Sequence, residues 1–502
     1  MLHTPKVFDT VIYIGFLIFV LSLPFGYSTV FLNLAMALVF VGWIGRMIAE
    51  RKFGWHSTAL DRLFAFFLGL ALVASFFAPH PATSSLGYFW KWLRAVLLFY
   101  AVVHSCLGHL WRHVVVAFIF AGGISCALGL WYYANDEQLA MDFMGQMPLA
   151  YQEEMRQGNG YAISEKLRTE LRKHNIPLSP SAAFALAQVP DEWRIEDAAR
   201  ERRYLIRKSE ACLMVYMIEP RLTGTFKMPN DLGAYLALLI PFTFGYFVAS
   251  LRANPCQSLW VRVALGTMLV LMCLNLALTL TRAAWVSVAV AAACIGTYSV
   301  ADLLFHKSGL KARRLVFLAI LTVIALCLSL FFTPRHIKAR FQTMLEHPAG
   351  FMGERPQWWQ TSLELIRRYP LTGIGLGRFR YEYQLNGPPE QYNIPYHAHN
   401  IYLHIAVEHG MPSLLVFVWM LVMIWRRLLA LRKSADFWEM GIFIGGSGFL
   451  ISALIYGIAD NVLHHRSLLI FWFVIGVIFL TSGRHGMKAR LPEREAIPEN
   501  SQ

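Results

Sequence analysis

Charged residues are scarce in this sequence, and the shortage limits the kind of protein that it can encode. Asp, Glu, Lys and Arg make up 15% of the 502 residues, whereas hydrophobic residues make up 56%. A soluble domain of ordinary composition carries roughly a quarter charged residues. The composition therefore excludes an ordinary soluble enzyme. It predicts an all-α polytopic membrane protein, because about 20 mostly apolar residues let a helix cross the hydrocarbon core.

The motifs of several common reaction classes are also missing. The seven cysteines form no Cys-x-x-Cys pair, and only Cys212 is placed outside both membrane and cytoplasm, so we expect no disulfide framework. No Walker A sequence supports ATP hydrolysis, and no outer-loop Asp-x-Asp sequence supports a metal-chelated sugar diphosphate. A Gly-x-Ser-x-Gly nucleophile elbow is absent as well.

Long apolar runs are abundant. We interpret the first as an uncleaved span and not as a signal peptide, because it is long, contains Pro24 and lacks a small-residue cleavage site. About twelve runs are predicted to be transmembrane helices, near residues 8–27, 29–48, 61–78, 91–107, 112–133, 230–251, 259–280, 282–304, 313–333, 400–425, 439–458 and 466–483.

Lys and Arg residues are concentrated in alternate short loops, and cytoplasmic loops carry an excess of these residues. All of the basic loops fall on one side of the membrane if both termini are cytoplasmic. They contain Arg46, Arg51, Lys52, Arg252, Arg262, Lys307, Lys311, Arg313, Arg314, Arg426, Arg427, Arg432, Lys433, Arg484, Lys488 and Arg490. We attribute the net charge of +14 to this topology, or to anionic lipids and phosphorylated lipid substrates, and not to nucleic acid.

Two long polar segments then lie on the outer, periplasmic side. The first contains the stretches 164–174 and 191–207, which we interpret as amphipathic helices, and the second is dense in Gly, Arg, Trp and His. Loops of this length are usually functional or disordered. The predicted organisation is helices 1–5 in 1–133, a periplasmic segment in 134–229, helices 6–9 in 230–333, a large periplasmic loop in 334–399, helices 10–12 in 400–483 and a cytoplasmic tail in 484–502.

The segment around His397, His399 and Asn400 is the strongest candidate for chemistry. A histidine can act as a general base near neutral pH, and an asparagine can orient a ring or a substrate hydroxyl. The alternative is that these residues cap a helix. A zinc site that adds His404 and His409 is less favoured, since residues two apart do not share a helix face and Glu408 is the only carboxylate in the run.

Two arginines stand beside apolar runs on the predicted outer side. Arg221 opens the sequence Arg-Leu-Thr-Gly-Thr-Phe, and Arg282 interrupts more than forty apolar residues. A charge at such a position is costly and is usually paired or functional. The alternative for Arg282 is that its side chain snorkels to the headgroups. Because Arg282 puts positive charge on the side that the topology rule disfavours, we favour a functional role.

The second outer segment supplies further candidates: Arg355, Trp359 and Arg378. Arg378 follows a run of alternating glycines at 373–377 that lacks the βαβ context of a dinucleotide site. We favour a tight turn packed on the membrane face over direct phosphate binding. Together, arginines and a histidine are expected at one membrane surface, where the rigid arginine fork suits a lipid diphosphate and a neutral histidine can deprotonate a hydroxyl.

At this point the sequence resembles the O-antigen ligase family, within the O-antigen ligase/polymerase superfamily. His399-Asn400, nine further residues and Gly410 match the family pattern, which then continues to Ser413, where the family has Gly, Thr or Tyr. The segment 221–230 is similar to the first external arginine motif, Thr281-Arg282 to the second, and Arg355 with Trp359 to the large periplasmic loop. The resemblance covers residues 221–413.

This resemblance implies metal-independent, inverting transfer of a preassembled glycan from undecaprenyl diphosphate to a sugar hydroxyl of lipid A–core, without a cofactor. It implies that His399 is the general base or positions the acceptor, and that Arg221 and Arg282 bind the diphosphate. Arg355, Asn400, His397, Trp359, Arg378 and Gly410 are the expected substrate-binding residues. The competing hypotheses are an O-antigen polymerase, a protein O-oligosaccharyltransferase and a lipid-glycan transporter.

Overall fold

The computed structural model describes residues 4–26, 28–51, 57–78, 84–105, 107–134, 142–148, 192–197, 202–208, 212–218, 221–253, 257–305, 355–388 and 395–490. Within these ranges the helices are α1 (Thr4–Ser22), α2 (Thr29–Glu50), α3 (Asp61–Phe76), α4 (Ser84–Val103), α5 (Trp111–Ala134), α6 (Pro229–Arg252), α7 (Leu259–Leu278), α8 (Arg282–Phe305), α9 (Arg355–Arg368), α10 (Phe379–Asn386), α11 (Ile401–His409), α12 (Met411–Ala430), α13 (Phe437–Ala459) and α14 (His465–Arg490). The strands are β1 (Asp142–Pro148), β2 (Glu192–Asp197), β3 (Arg202–Lys208) and β4 (Cys212–Ile218).

The membrane part is all-α, as predicted. In the part of the chain that the structure describes, nine helices are long and apolar enough to cross a bilayer: α2, α4, α5, α6, α7, α8, α12, α13 and α14. The predicted runs at 8–27 and 61–78 are helical as α1 and α3, and α3 has 16 residues. The predicted span at 313–333 lies outside the described residues, so the count of twelve spans stays a prediction.

The predicted span at 400–425 is wrong, because the chain breaks at Gly410. This residue has a φ of +85°, which ends α11 at His409, and α12 begins at the next residue with a proline in its first turn. The apolar pattern continues through this break, since only the backbone conformation changes. The histidine motif therefore precedes a short separate helix and not the membrane span itself.

The prediction of an amphipathic helix over 191–207 is also wrong. Strands β2 and β3 pair antiparallel there, with Glu192 opposite Arg207, and they belong to a four-stranded sheet of order β1-β4-β3-β2. In β2 the apolar Trp193 and Ile195 alternate with charged residues, which is the period of a strand. The predicted helix at 164–174 lies outside the described residues.

Helices α6 and α13 pack backbone to backbone in the core. A Cβ added to Gly245 would lie 2.2 Å from the Cα of Gly445, and the Ser452 hydroxyl donates to the Ala237 carbonyl at 2.6 Å. Small residues allow membrane helices to approach in this way. The contact brings the start of α6 close to the end of α13, where the Tyr456 hydroxyl donates to the Asn230 carbonyl at 3.4 Å. We call this end of the bundle the outer end.

The loop between α1 and α2 is held by the last helix of the bundle. The guanidinium of Arg466, in the first turn of α14, donates to the carbonyls of Leu23 at 3.3 Å and Gly26 at 2.9 Å, and also to that of Phe25. The Gly26 amide in turn donates to the Thr225 carbonyl at 2.7 Å. The loop thereby supports the segment that carries Arg221.

The α6–α13 contact generates a stability prediction. Replacing Gly245 with alanine places a methyl group into the backbone of α13, so we expect a loss of about 1–3 kcal/mol in the free energy of unfolding. The matched control is Gly296→Ala in α8, where no heavy atom lies within 4 Å of the added Cβ. Thermal unfolding of the purified protein in detergent measures both variants. Equal melting temperatures for the two variants would contradict the packing argument.

Candidate active site at the outer end of the bundle

His399 and Asp460 form a hydrogen-bonded pair at the outer end. The imidazole Nδ1 of His399 lies 2.9 Å from Asp460 Oδ1, and the Asp460 residue directly follows α13. His399 has a φ of +46°, and its amide donates to the Nδ1 of His397 at 3.3 Å. With Nδ1–H on the carboxylate, Nε2 is the nitrogen that can accept a proton from a substrate.

Asp460 is held in its charged form. Burial favours the neutral acid, but the hydrogen bond from His399 and the charges of His399, His397 and Arg355 hold the pKa of Asp460 well below its usual range. A carboxylate in this position fixes the tautomer of His399 and stabilises the imidazolium that forms when the ring takes up a proton.

The N-terminus of α9 supports the histidine loop. Arg355, Trp358 and Trp359 share one face of this helix, because residues three and four positions apart are neighbours on a helix surface. The Trp358 ring stacks on the His399 ring at a centroid distance of 4.6 Å, and the Trp359 Nε1 donates to the Ala398 carbonyl at 3.1 Å. Trp359, a predicted substrate-binding residue, therefore buttresses the loop that presents the histidine.

The two arginine motifs predicted from the sequence are in contact. Arg221 Nε donates to the Thr279 carbonyl at 2.9 Å, and its NH2 donates to Asn230 Oδ1 at 2.7 Å and to the Thr281 hydroxyl at 3.3 Å. Thr279 and Thr281 belong to the turn between α7 and α8, and Arg282 is the first residue of α8. The structure thus places Arg221 beside the turn that positions Arg282.

Tyr456, in the last turn of α13, connects the histidine half of the site with the arginine half. Its buried hydroxyl donates to the Asn230 carbonyl and interacts electrostatically with Arg221, Arg355 and Asp460. The residue that pairs with His399 and two arginine-bearing segments therefore interact with one tyrosine at the outer end.

Asn400 and Gly410 have structural roles here. The Asn400 Oδ1 caps α11 by accepting the amides of Tyr402 and Leu403 at 2.9 and 3.0 Å, and its Nδ2 donates to the Ile458 carbonyl at 3.0 Å. A Cβ on Gly410 would lie 2.2 Å from the Leu371 carbonyl oxygen. The contacts of both residues position α11, and their contact with substrate stays a prediction.

The alternating glycines pack against the end of α11. The Ile374 amide donates to the Val407 carbonyl at 2.8 Å, and the amides of Gly377 and Phe379 donate to the buried Glu408 carboxylate at 2.8 and 3.3 Å. This geometry favours the tight turn over direct phosphate binding. Arg378 is the residue between Gly377 and Phe379 in the sequence. The Arg378 guanidinium lies 4.3 Å from the centroid of the Tyr381 ring.

The four histidines of the zinc alternative do not form one group in the structure. His404 is partly buried and His409 is fully buried, and the His409 ring packs against Phe67 and Trp92 at centroid distances of 5.1 and 5.5 Å. Among the described residues, the group able to converge on a metal is His397, His399 and Asp460, whose ligand atoms lie within 4.8 Å of one another. The same three residues suit a base without metal, and a metal-free site stays our prediction.

Asp460, Trp358 and Tyr456 were not predicted from the sequence as site residues. A usable signal existed for Asp460, since it is a carboxylate immediately after an apolar run on the predicted outer side. Trp358 could have been found from its position three residues after Arg355 on one helix face. Tyr456 carries no such signal, because buried tyrosines are common inside helix bundles.

Glu408 generates a pH prediction. Burial raises its pKa from 4.5 to about 7, although the Gly377 and Phe379 amides favour the charged form. The folded chain then binds the proton more tightly than the unfolded chain. This group's contribution to stability is therefore present at low pH and is lost as the pH rises from about 4.5 to about 7. We expect the stability of Glu408→Gln relative to wild type to increase across this window, measured by thermal unfolding.

Glu364→Gln is the control, because Glu364 is exposed. The stability of this variant relative to wild type should not increase across the same pH window. Burial lowers the pKa of His404 to about 4 and that of His409 to about 3, which gives the opposite pH dependence. A histidine contribution of this sign raises the stability of the wild type as the pH rises, so it does not produce the loss expected from Glu408. Parallel stability profiles for wild type and Glu408→Gln would refute the assignment.

Part of the chain that carries the candidate site is similar to a known protein family. Residues 267–418 match the model of a protein family described as O-antigen ligase. The match runs from α7 into α12 and includes Arg282, Arg355 and His399, whereas Arg221 and Asp460 lie outside it. The search of curated proteins found no match. The match covers the segment that carries Arg282, Arg355 and His399, and it supports the resemblance of these residues to the O-antigen ligase family. The long apolar helices of the described residues support a multi-pass membrane protein.

Proposed function

We propose that this protein is an O-antigen ligase of the bacterial inner membrane. It transfers a preassembled glycan from undecaprenyl diphosphate to a sugar hydroxyl of lipid A–core, on the periplasmic face. The observation that carries the proposal is the His399–Asp460 pair, which lies beside Arg355 and, through Tyr456, close to Arg221. A base and positive charge at one membrane surface are what transfer from a lipid diphosphate requires.

The acceptor hydroxyl loses its proton to Nε2 of His399 as its oxygen attacks the anomeric carbon of the donor glycan. Asp460 accepts the Nδ1–H throughout and stabilises the imidazolium. The bond between the anomeric carbon and the diphosphate oxygen breaks on the opposite face, so the configuration inverts. Undecaprenyl diphosphate leaves as an anion, and the proton on His399 returns to solvent.

Arg221 and Arg282 neutralise the charge that develops on the leaving diphosphate. The contacts of Arg221 with Thr279, Asn230 and Thr281 fix its guanidinium before the donor binds. A prepositioned arginine fork is always charged and needs no reorganisation during the reaction. In this proposal the arginines do the work that a chelated metal performs in other transferases of sugar diphosphates.

The first test is a reconstitution in excess EDTA. Purified protein is mixed with an undecaprenyl-diphosphate-linked glycan and lipid A–core, and the products are separated by gel mobility. We expect a glycan-bearing lipid A–core from the wild type and none from His399→Ala or Arg282→Ala, with both variants folded in the membrane. Wild-type activity in either variant removes that residue from the mechanism, and activity that only a divalent cation restores refutes the metal-free mechanism.

The same assay separates the related activities. A polymerase shares the membrane architecture but would yield longer lipid-linked glycan without modified lipid A–core. A protein O-oligosaccharyltransferase would leave lipid A–core unmodified and glycosylate an added protein acceptor. Transporters place polar residues near the bilayer midplane, whereas the charged residues of this site gather at the ends of the helices.

The role of Asp460 gives a second test. Asp460→Asn keeps the shape of the side chain but removes the charge that stabilises the imidazolium, so we expect kcat to fall by about 10²- to 10⁴-fold. The matched control is Glu439→Gln, which alters a similar pair at the other end of α13, where His485 Nδ1 lies 2.7 Å from Glu439 Oε2. That variant should retain its activity. Wild-type kcat in Asp460→Asn would exclude the charge as part of the mechanism.

A further inference from the structure

A second group of cations lies at the outer end, apart from the arginines of the proposed donor site. It comprises Lys91 and Arg94 on α4 and Arg378, which precedes α10, and all three side chains are partly buried. None of the three forms an ion pair with a carboxylate in the described part of the chain. These charges stand on the side of the membrane that the distribution of Lys and Arg disfavours.

Packing brings the three cations together. The start of α4 is fixed to the glycine turn because the Ser85 hydroxyl donates to the Leu376 carbonyl at 3.0 Å. The Tyr88 ring covers Gly377, where an added Cβ would lie 2.3 Å from it. The Lys91 ammonium sits 3.9 Å from the centroid of the same ring. Lys91 therefore lies over the tyrosine that packs on Gly377, the residue before Arg378.

The nearby carboxylate is insufficient to balance these charges. Glu408 interacts electrostatically with Lys91. Its two carboxylate oxygens already accept hydrogen bonds from the backbone amides of Gly377 and Phe379. Arg94 repels Lys91 and donates a hydrogen bond to a neutral group, the Asn33 carboxamide oxygen, at 3.2 Å. Partly buried like charges with one committed counter-charge are unfavourable unless a ligand supplies the anion.

The distance between His399 and this group of cations indicates which class of anion the group binds. His399 precedes α11 and Glu408 lies at its other end, and the nine residues of α11 span about 13 Å. A molecule that presents a hydroxyl to His399 and an anion to Lys91 must bridge that length. An oligosaccharide acceptor that carries a phosphate group has these dimensions and this charge. In the proposed mechanism the charge of the donor diphosphate is already neutralised by Arg221 and Arg282.

We propose that Lys91, Arg94 and Arg378 form an anion site that binds a phosphate group of the acceptor glycolipid and selects phosphorylated acceptors. The site rests on the proposed function, since that function defines the acceptor. It holds the acceptor sugar in register with His399 and contributes to acceptor affinity, while the donor site and the base determine the rate of the chemical step.

The test measures acceptor binding and turnover separately. Full-length protein in phosphatidylcholine nanodiscs is titrated with lipid A–core and with the same lipid after phosphatase treatment, in the absence of donor. We expect the wild type to prefer the phosphorylated acceptor by about tenfold, the value of one good charge-assisted contact. Lys91→Gln and Arg378→Gln should lose this preference, with a raised acceptor KM and an unchanged donor KM.

Arg380→Gln is the matched control, because Arg380 is exposed and lies over the Tyr396 ring at 4.2 Å. Lys91→Arg keeps the charge and should keep the preference, which separates recognition from folding. The site is refuted if Lys91→Gln and Arg378→Gln bind both acceptors as the wild type does. It is also refuted if the variants lose only binding to vesicles of phosphatidylglycerol, since bulk lipid is then the ligand. A wild type that prefers the phosphorylated lipid but transfers no glycan supports the site and overturns the proposed function.

Discussion

The backbone contact between α6 and α13 is the constraint on which the site depends. Gly245 and Gly445 let the two helices approach closely, and the distance at this point determines how far apart their outer ends lie. Asn230, which holds Arg221, is at one of these ends, and Asp460, which holds His399, is at the other. The two halves of the proposed reaction centre are thus positioned by a contact between glycines within the helix bundle.

Hydrogen bonds within the protein offset the desolvation free energy of the ionisable groups that gather at the membrane surface. Arg221 is bonded to a carbonyl, a carboxamide and a hydroxyl, and Asp460 is bonded to an imidazole and to the Asn461 amide. Hydrogen bonds of this kind satisfy buried polar groups and fix their orientation at the same time. The result is a site whose positive and negative groups are each held by a different helix end.

Sequence predicted the elements that depend on composition and missed those that depend on backbone conformation. The apolar runs predicted the helices. The unusual positions of Arg282 and His399 predicted a candidate site, because an ionisable residue beside a membrane span is costly and usually paired or functional. The break at Gly410 was missed because the apolar pattern does not register a positive φ. The carboxamide oxygen of Asn400 caps α11, which is the alternative that the sequence left open, and its contact with substrate stays a prediction. Asp460 is 61 residues from His399, and single-chain patterns carry no information about such pairs.

The contact of Arg466 with the loop between α1 and α2 has a consequence for biogenesis. The carbonyls of Leu23, Phe25 and Gly26 receive their guanidinium only when the final helix has been inserted, more than 400 residues after the hairpin itself. The partner of His399 lies in the same late stretch of chain. The segments that carry Arg221 and His399 are therefore synthesised before the residues that hold them in place. The outer end acquires its full set of contacts only after α13 and α14 have joined the bundle.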